Sequence, residues 1–192
     1  MTELVLASTS PYRRELLARL GVPFETLSPD VDESRLPGES PGQLVMRLAE
    51  AKARAGAGRY PRGLIIGSDQ VAVCQGEILG KPGTHENAAR QLAKLSGQRV
   101  SFLTGLCLFD ARHNRARVEL VPYHVCFRGL GMAQIERYLR AEQPYDCAGS
   151  FKSEGLGISL FERMEGDDPT ALIGLPLIRL TGWLNEAGLD IP

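Results

Sequence analysis

The chain has 192 residues, 43% hydrophobic and 23% charged, enough for a sizeable core in one lobe or two closely joined ones. A formal net charge of -1 supplies no basic field of the kind that holds a long polyanion. Nucleic acid is therefore excluded as a partner, and any phosphate-bearing ligand must be gripped by local groups. Residues 1–7 have no basic start, and no run approaches the roughly 18 apolar residues of a membrane span, so a soluble, cytoplasmic protein without a membrane partner is expected.

Leu4 to Ala7 reads as a short buried strand, followed at once by the hydroxyl-rich turn Ser8-Thr9-Ser10. Ser10 as N-cap and Pro11 at the first helical position start a helix with Leu16, Leu17 and Leu20 on its apolar face, and Gly21 stops it. Phe24 to Ser28 is a second strand, leading into an acidic loop with Asp30, Asp32 and Glu33. Ser40, Pro41 and Gln43 form a capping-box start to a helix that runs to about Ala57. The apolar run Leu64 to Gly67 predicts a buried strand ending at Ser68-Asp69-Gln70, and a Gln75-Gly76 turn links two short strands. After the loop Gly80-Lys81-Pro82-Gly83, Thr84 caps a helix with Ala88, Leu92 and Leu95 at helical spacing and Gly97 beyond its end. Arg99 to Phe109 and Arg117 to Arg128 form a long hairpin around the polar turn Asp110 to Asn114. Met132 to Ala141 reads as helix, Gly157 to Phe161 as strand, and Leu175 to about Ala187 as a closing helix. Helices alternating with strands, interrupted by a long hairpin, indicate an α/β protein with a mixed sheet, a single domain over 1–192 with no sharp internal boundary.

The four cysteines, Cys74, Cys107, Cys126 and Cys147, are widely spaced and read as buried, reduced thiols; with the scattered His85, His113 and His124 they show no zinc spacing.

Three groups of residues carry chemistry. Ser8, Ser10, Arg13 and Arg14 sit where the first strand turns into the first helix, a place where exposed amides, the positive end of the macrodipole and an arginine fork favour an anion. A plain helix start with solvated arginines gives the same string, although two arginines in a first turn oppose the macrodipole and call for a compensating partner. Asp69 follows an apolar strand, where ligand sites gather in open α/β sheets; it can hold a divalent ion, take a proton from water, or simply cap a turn. Lys52 adjoins the apolar face of its helix and Lys81 lies in a Gly/Pro-bounded loop; either suits a solvated lysine as well as a phosphate ligand, and Glu33 suits a surface carboxylate.

Whole strings bring these residues together. Leu6-Ala7-Ser8-Thr9-Ser10-Pro11-Tyr12-Arg13-Arg14, Ile66-Gly67-Ser68-Asp69-Gln70, Gly80-Lys81-Pro82, Tyr145 to Gly155 and Leu172 to Leu177 resemble the Maf family of nucleotide pyrophosphatases, over nearly the whole chain. The resemblance implies a mixed α/β fold of the inosine-triphosphatase-like kind, two-lobed with a central cleft, and a homodimer. It implies hydrolysis of a nucleoside triphosphate to the monophosphate and diphosphate, with Asp69 as proton acceptor. It also implies that Ser8, Arg13, Glu33, Lys52 and Lys81 line the phosphate and metal site, with Asp69 and Glu33 holding Mg²⁺ or Mn²⁺. Within the family the strings look most like the subgroup acting on 7-methyl-GTP, in which positions 12, 70 and 154 choose the base; here they are Tyr12, Gln70 and Glu154. The first is commonly Trp in relatives, so Tyr12 is a departure.

The physics of those positions fits the implication. Glu154 can accept both donors of a guanine Watson-Crick edge, Tyr12 can offer its ring face to a cationic methylated base, and Gln70 can donate and accept. Lys52, Lys81 and Arg13 are cations suited to a diphosphate leaving group. Two rivals are a pyrophosphatase for dTTP, UTP or other modified nucleotides, and a non-catalytic nucleotide-binding regulator of cell division. Asp69 argues against the regulator, since a binding site gains nothing from a carboxylate near a triphosphate unless metal is present; Gln70 with Glu154 argues against the pyrimidines, since a carboxylate suits the guanine donor edge better than their acceptor-rich edge.

Overall fold

The structure, a computed structural model, describes residues 3–192. Its elements in chain order are β1 (Leu4–Ala7), α1 (Pro11–Ala18), β2 (Glu25–Leu27), α2 (Pro41–Ala55), β3 (Leu64–Cys74), β4 (Glu77–Leu79), α3 (His85–Leu95), β5 (Arg99–Asp110), β6 (Arg115–Phe127), α4 (Met132–Glu142), β7 (Phe161–Glu165), α5 (Pro169–Ile173) and α6 (Leu177–Glu186). The strands hydrogen-bond in the order β2-β1-β3-β5-β6-β7, with β4 also on β3. β1 runs parallel to β2 and to β3, whereas β3–β4 and β6–β7 are antiparallel, so the sheet is mixed, as the alternation of helices and a hairpin indicates. No helix among the described residues is long and apolar enough to cross a membrane.

The chain divides into two compact units, one of Met1–Gln70, Leu103–Val121 and Asp168–Pro192, the other of Val71–Phe102 and Pro122–Asp167. In the first unit β1, the start of β3 and the last half of β5 are buried on both faces, which is why they read as apolar runs rather than alternations. Leu4, Leu6, Leu64, Ile66, Leu106 and Leu108 face one way, onto Leu16 and Leu17 of α1 and Leu180, Trp183 and Leu184 of α6. Val5, Ala7, Ile65, Cys107 and Phe109 face the other way, onto Ala49 and Ala53 of α2. In the second unit Phe102, Phe127, Phe151 and Phe161 pack edge to face, with ring centroids 5.0–5.4 Å apart.

Two glycines set how closely α2 lies on its sheet face. A Cβ at Gly67 of β3 would stand 2.0 Å from Ala49 O and 2.8 Å from Ala53 N, and one at Gly105 of β5 would stand 2.1 Å from Val45 O. Helix backbone thus rests directly on strand backbone, a contact that only residues without a Cβ permit.

Several boundaries differ from the sequence reading. β3 does not end at Ser68-Asp69-Gln70 but continues to Cys74, because 72–74 pair with β4 through a turn in which Gln75 and Gly76 both take positive φ. Asp69 is therefore a mid-strand residue. Leu156–Leu160 is 3₁₀ rather than strand: a Cβ at Gly157 would stand 2.2 Å from Lys152 O, Glu142 accepts from Leu156 N, and the strand starts only at Phe161. The closing helix begins at Leu177, after the separate short α5 that Asp168 caps and Pro169 starts. Cys74, Cys107 and Cys126 are buried and all four thiols are free, but Cys147 is only half-buried. Burial pushes the Cys107 thiol up to about 12.

Candidate active site

The alternation of β3 sorts its polar residues onto two faces. Gly67 and Asp69 point toward α2, Ser68 and Gln70 toward α5. With α2 seated on Gly67, Lys52 in its last turn is buried at 6% exposure, and its Nζ lies 2.6 Å from Asp69 Oδ1 and 2.7 Å from Glu33 Oε1. One ammonium thus bridges two carboxylates. The Asp69 side chain is 14% exposed and that of Glu33 61%, so the trio opens to solvent on the Glu33 side.

Glu33 is held there by its loop. Arg47 of α2 donates to Ser34 O at 2.9 Å and grips the Glu39 carboxylate at 2.6 and 2.9 Å, while Arg35 donates to Glu39 O. The Arg47 hydrogen bonds hold the Glu39 carboxyl down to about 2, well under its ordinary range.

Arg13 resolves the difficulty of basic residues at a helix start. Its N–H is capped by Ser10 Oγ, and its guanidinium turns away from the helix, donating through Nε to Gly174 O at 2.9 Å and lying 3.5 Å from Ser8 Oγ. Burial lowers its pKa, and the charges of Asp69 and Glu33 oppose that shift, so these carboxylates are the compensating partners. Ser8 is buried and also accepts from Ser10 N at 3.1 Å. Arg14, by contrast, is exposed.

On the opposite face the strand residues converge on the end of α5. Ser68, fully buried, has its Oγ 2.9 Å from both Gly105 O and Gly174 O. Gln70 Nε2 donates to Ala171 O at 2.7 Å, to Thr104 Oγ1 at 2.9 Å and to Leu172 O at 3.2 Å. Its amide nitrogen is committed to protein oxygens, so Gln70 offers a ligand its carbonyl oxygen alone, an acceptor and not the donor-and-acceptor pair expected from the residue type. Tyr12 is 36% exposed on α1.

Lys81 and Glu154 belong to the second unit. Lys81 is exposed in the segment between β4 and α3; Glu154 is exposed in the loop after α4, with Ser153 Oγ donating to its Oε2 at 3.1 Å. The structure brings Ser8, Arg13, Glu33, Lys52 and Asp69 together within the first unit.

Sequence reasoning missed the groups that support these side chains. Asp168, 3% exposed, accepts from Thr170 N and Oγ1 through Oδ1 and from Ile178 N through Oδ2, while Thr170 Oγ1 accepts from Leu177 N; one carboxylate thus ties the starts of α5 and α6 together. This fixes Gly174, whose carbonyl receives Arg13 and whose φ of 113° suits glycine. The pair Asp168-Pro169 is itself a helix-start signal that could have found α5.

For a divalent cation, the fit rests on the donor set. Among the described residues no group of three or more His, Cys, Asp or Glu could hold an ion. Asp69 Oδ1 and Glu33 Oε1 both converge on Lys52 Nζ, so the oxygens left for a divalent ion are Asp69 Oδ2 and Glu33 Oε2, and a small hard cation is commonly held by one or two carboxylates with water and substrate phosphates completing the shell.

A buried lysine and a half-buried arginine thus face two carboxylates at the polar stretch of an α/β sheet, and comparison with known sequences defines the family. The profile of the family described as Maf-like protein matches residues 3–187, and the chain belongs to that family. Its relatives include the 7-methyl-GTP pyrophosphatase of Pseudomonas syringae pv. tomato, 60% identical over 192 residues and all of both chains, and that of Pseudomonas aeruginosa, 59% identical over the same span. The 7-methyl-GTP pyrophosphatase of Nitrosococcus oceani is 58% identical over 188 residues, 98% of this chain and 94% of the relative.

Proposed function

We propose that this chain hydrolyses 7-methyl-GTP to 7-methyl-GMP and diphosphate, removing a modified nucleotide. The observation that carries the reading is end-to-end identity near 60% with proteins named for that activity, joined to a carboxylate at position 69 that the fold holds against a buried ammonium.

The reaction needs an attacking water, an acceptor for its proton and neutralisation of the charge that builds on the diphosphate. Lys52 engages Oδ1 of Asp69 and so fixes the carboxylate's orientation, leaving Oδ2 to take the proton from water. Arg13, with Nε on Gly174 O, directs its remaining N–H groups toward an anion in front of Ser8. Lys81 is a further cation suited to the phosphates. Asp69 and Glu33 would hold Mg²⁺ or Mn²⁺, which supplies charge neutralisation for the phosphates and lowers the pKa of bound water. At the base, Glu154 accepts from guanine N1–H and the exocyclic amine, Tyr12 stacks on the cationic ring, and Gln70 adds an acceptor through Oε1, the sense its fixed amide nitrogen imposes.

The test is diphosphate release from 7-methyl-GTP, GTP, dTTP and UTP with Mg²⁺ or Mn²⁺, for the wild type and Asp69→Asn. The expected outcome is turnover highest on 7-methyl-GTP and lost in Asp69→Asn, which still binds the nucleotide. Preference for dTTP or UTP would move the substrate to the pyrimidines. Release from no nucleotide would return the chain to a regulator, and near-normal turnover in Asp69→Asn would remove that residue from the chemistry.

A further inference from the structure

We infer that Asn87 and Gln91, one turn apart on α3, are positioning residues that hold the Lys81 loop in place for the triphosphate. This rests on the reading above that places Lys81 at the phosphates. Lys81 sits in an irregular segment with no ladder bonds of its own, between β4 and α3. A four-carbon lysine stem on a loose loop makes a poor phosphate ligand, because ordering both stem and backbone costs free energy on binding.

The loop is not loose. Gln91 Nε2 donates to Gly80 O at 3.1 Å and Asn87 Nδ2 donates to Pro82 O at 3.0 Å, so the carbonyls on either side of Lys81 are both taken up by one face of one helix. At the far end Gly83, with φ of 72°, donates its N–H to Tyr145 O at 2.9 Å. The two amides are themselves oriented by partners on their oxygen side. Gln91 Oε1 accepts from Ser150 Oγ, a fully buried hydroxyl on a residue with φ of 62°, and Asn87 Oδ1 accepts from Arg90. Because each oxygen is engaged, each NH₂ is turned toward the loop.

The consequence joins two strings of the sequence. Gly80-Lys81-Pro82 and the Tyr145–Gly155 segment that ends at Glu154 are tied by the path Ser150–Gln91–Gly80 and by Gly83–Tyr145. Gln91 is thus the hinge pin between the phosphate lysine and the segment bearing the base-reading carboxylate. Its role is geometric: its amide is spent on Gly80 O and Ser150 Oγ, and its effect passes through Lys81.

The experiment is a double-mutant cycle. Gln91→Met and Asn87→Ala place good helix formers on α3 and remove the whole carboxamide, the NH₂ that reaches the loop and the oxygen that accepts from Ser150 or Arg90, and each is made alone, together, and on Lys81→Ala. Diphosphate release from 7-methyl-GTP is measured with exchange of the Gly83 amide and the melting temperature. The expected result is a loss of about tenfold in kcat/KM for Asn87→Ala/Gln91→Met, carried mainly by KM, with faster Gly83 exchange, and no more than about twofold further loss on the Lys81→Ala background. Gln91→Met alone, which leaves the α3 start intact, should show the same pattern at smaller size. Equal losses in both backgrounds, or wild-type kcat/KM in the clamp variants, would overturn the proposal. A wild type that releases diphosphate from no triphosphate would instead overturn the functional reading beneath it and the clamp's role with it.

Discussion

Replacing Gly67 by alanine tests the step from backbone packing to chemistry. The added methyl would stand 2.0 Å from Ala49 O and 2.8 Å from Ala53 N, more than an ångström inside contact with the carbonyl, and both atoms are helix backbone that cannot rotate aside. α2 must lift from β3 by about an ångström. Overpacking of this kind costs about 2–3 kcal/mol, which for a domain of this size lowers the melting temperature by roughly 4–12 °C. The lift also carries Lys52 away from Asp69 Oδ1, where the present separation is 2.6 Å. The lysine stem can follow in part, so we expect a fall in kcat/KM of about 10- to 100-fold rather than abolition. Gly58→Ala serves as control, since nothing lies within 4 Å of its Cβ position. Thermal melts and diphosphate release would be measured on both variants. A Gly67→Ala protein that melts lower yet keeps wild-type kcat/KM would refute the link between α2 seating and the site; one unchanged in both would refute the close approach itself.

Two further outcomes follow from the support of the site. Asp168→Asn leaves an amide N–H facing backbone N–H groups at the starts of α5 and α6, so a loss of about 1–3 kcal/mol is expected in urea denaturation, with weaker nucleotide binding because Gly174 O orients Arg13. The Glu39 carboxyl, held down to about 2 by Arg47, ionises more easily in the folded than in the unfolded chain. Its contribution to stability is therefore complete above its ordinary value of 4.5 and is lost as pH falls from there through about 2. Arg47→Met should move the carboxyl, followed by NMR titration, back up toward 4.5 and flatten that part of the stability profile; an unmoved titration would show that Arg47 is not the cause.

Local chemistry wrote much of the fold into the sequence. Leu4–Ala7 appears as the strand its apolar run announced, Ser10, Ser40 and Thr84 cap the helices they were expected to cap, and Gln75-Gly76 and Asn114 sit in turns with positive φ. These features depend on neighbours a few residues apart, within reach of propensity and period. The end of β3 was not legible, since Ser68, Asp69 and Gln70 look like a polar stop and continue as strand because β4 pairs with 72–74 and partners from β5, α2 and α5 satisfy the polar side chains. The 3₁₀ turn at Leu156–Leu160 escaped for a similar reason, being set by the approach of Gly157 to Lys152 O.

The site divides the same way. From the strings alone came the candidate residues and the family, because a reaction restricts the types of side chain that can serve it. What the tertiary structure decided is their use: that Lys52 bridges Asp69 and Glu33, that Arg13 is steered by Gly174, and that the amide nitrogen of Gln70 is spent inside the protein. Those outcomes arise from contacts between residues 17 to more than 100 positions apart, and the first of them turns on whether a glycine lets a helix lie against a strand. No pattern along the chain encodes such a distance; only the packed fold does.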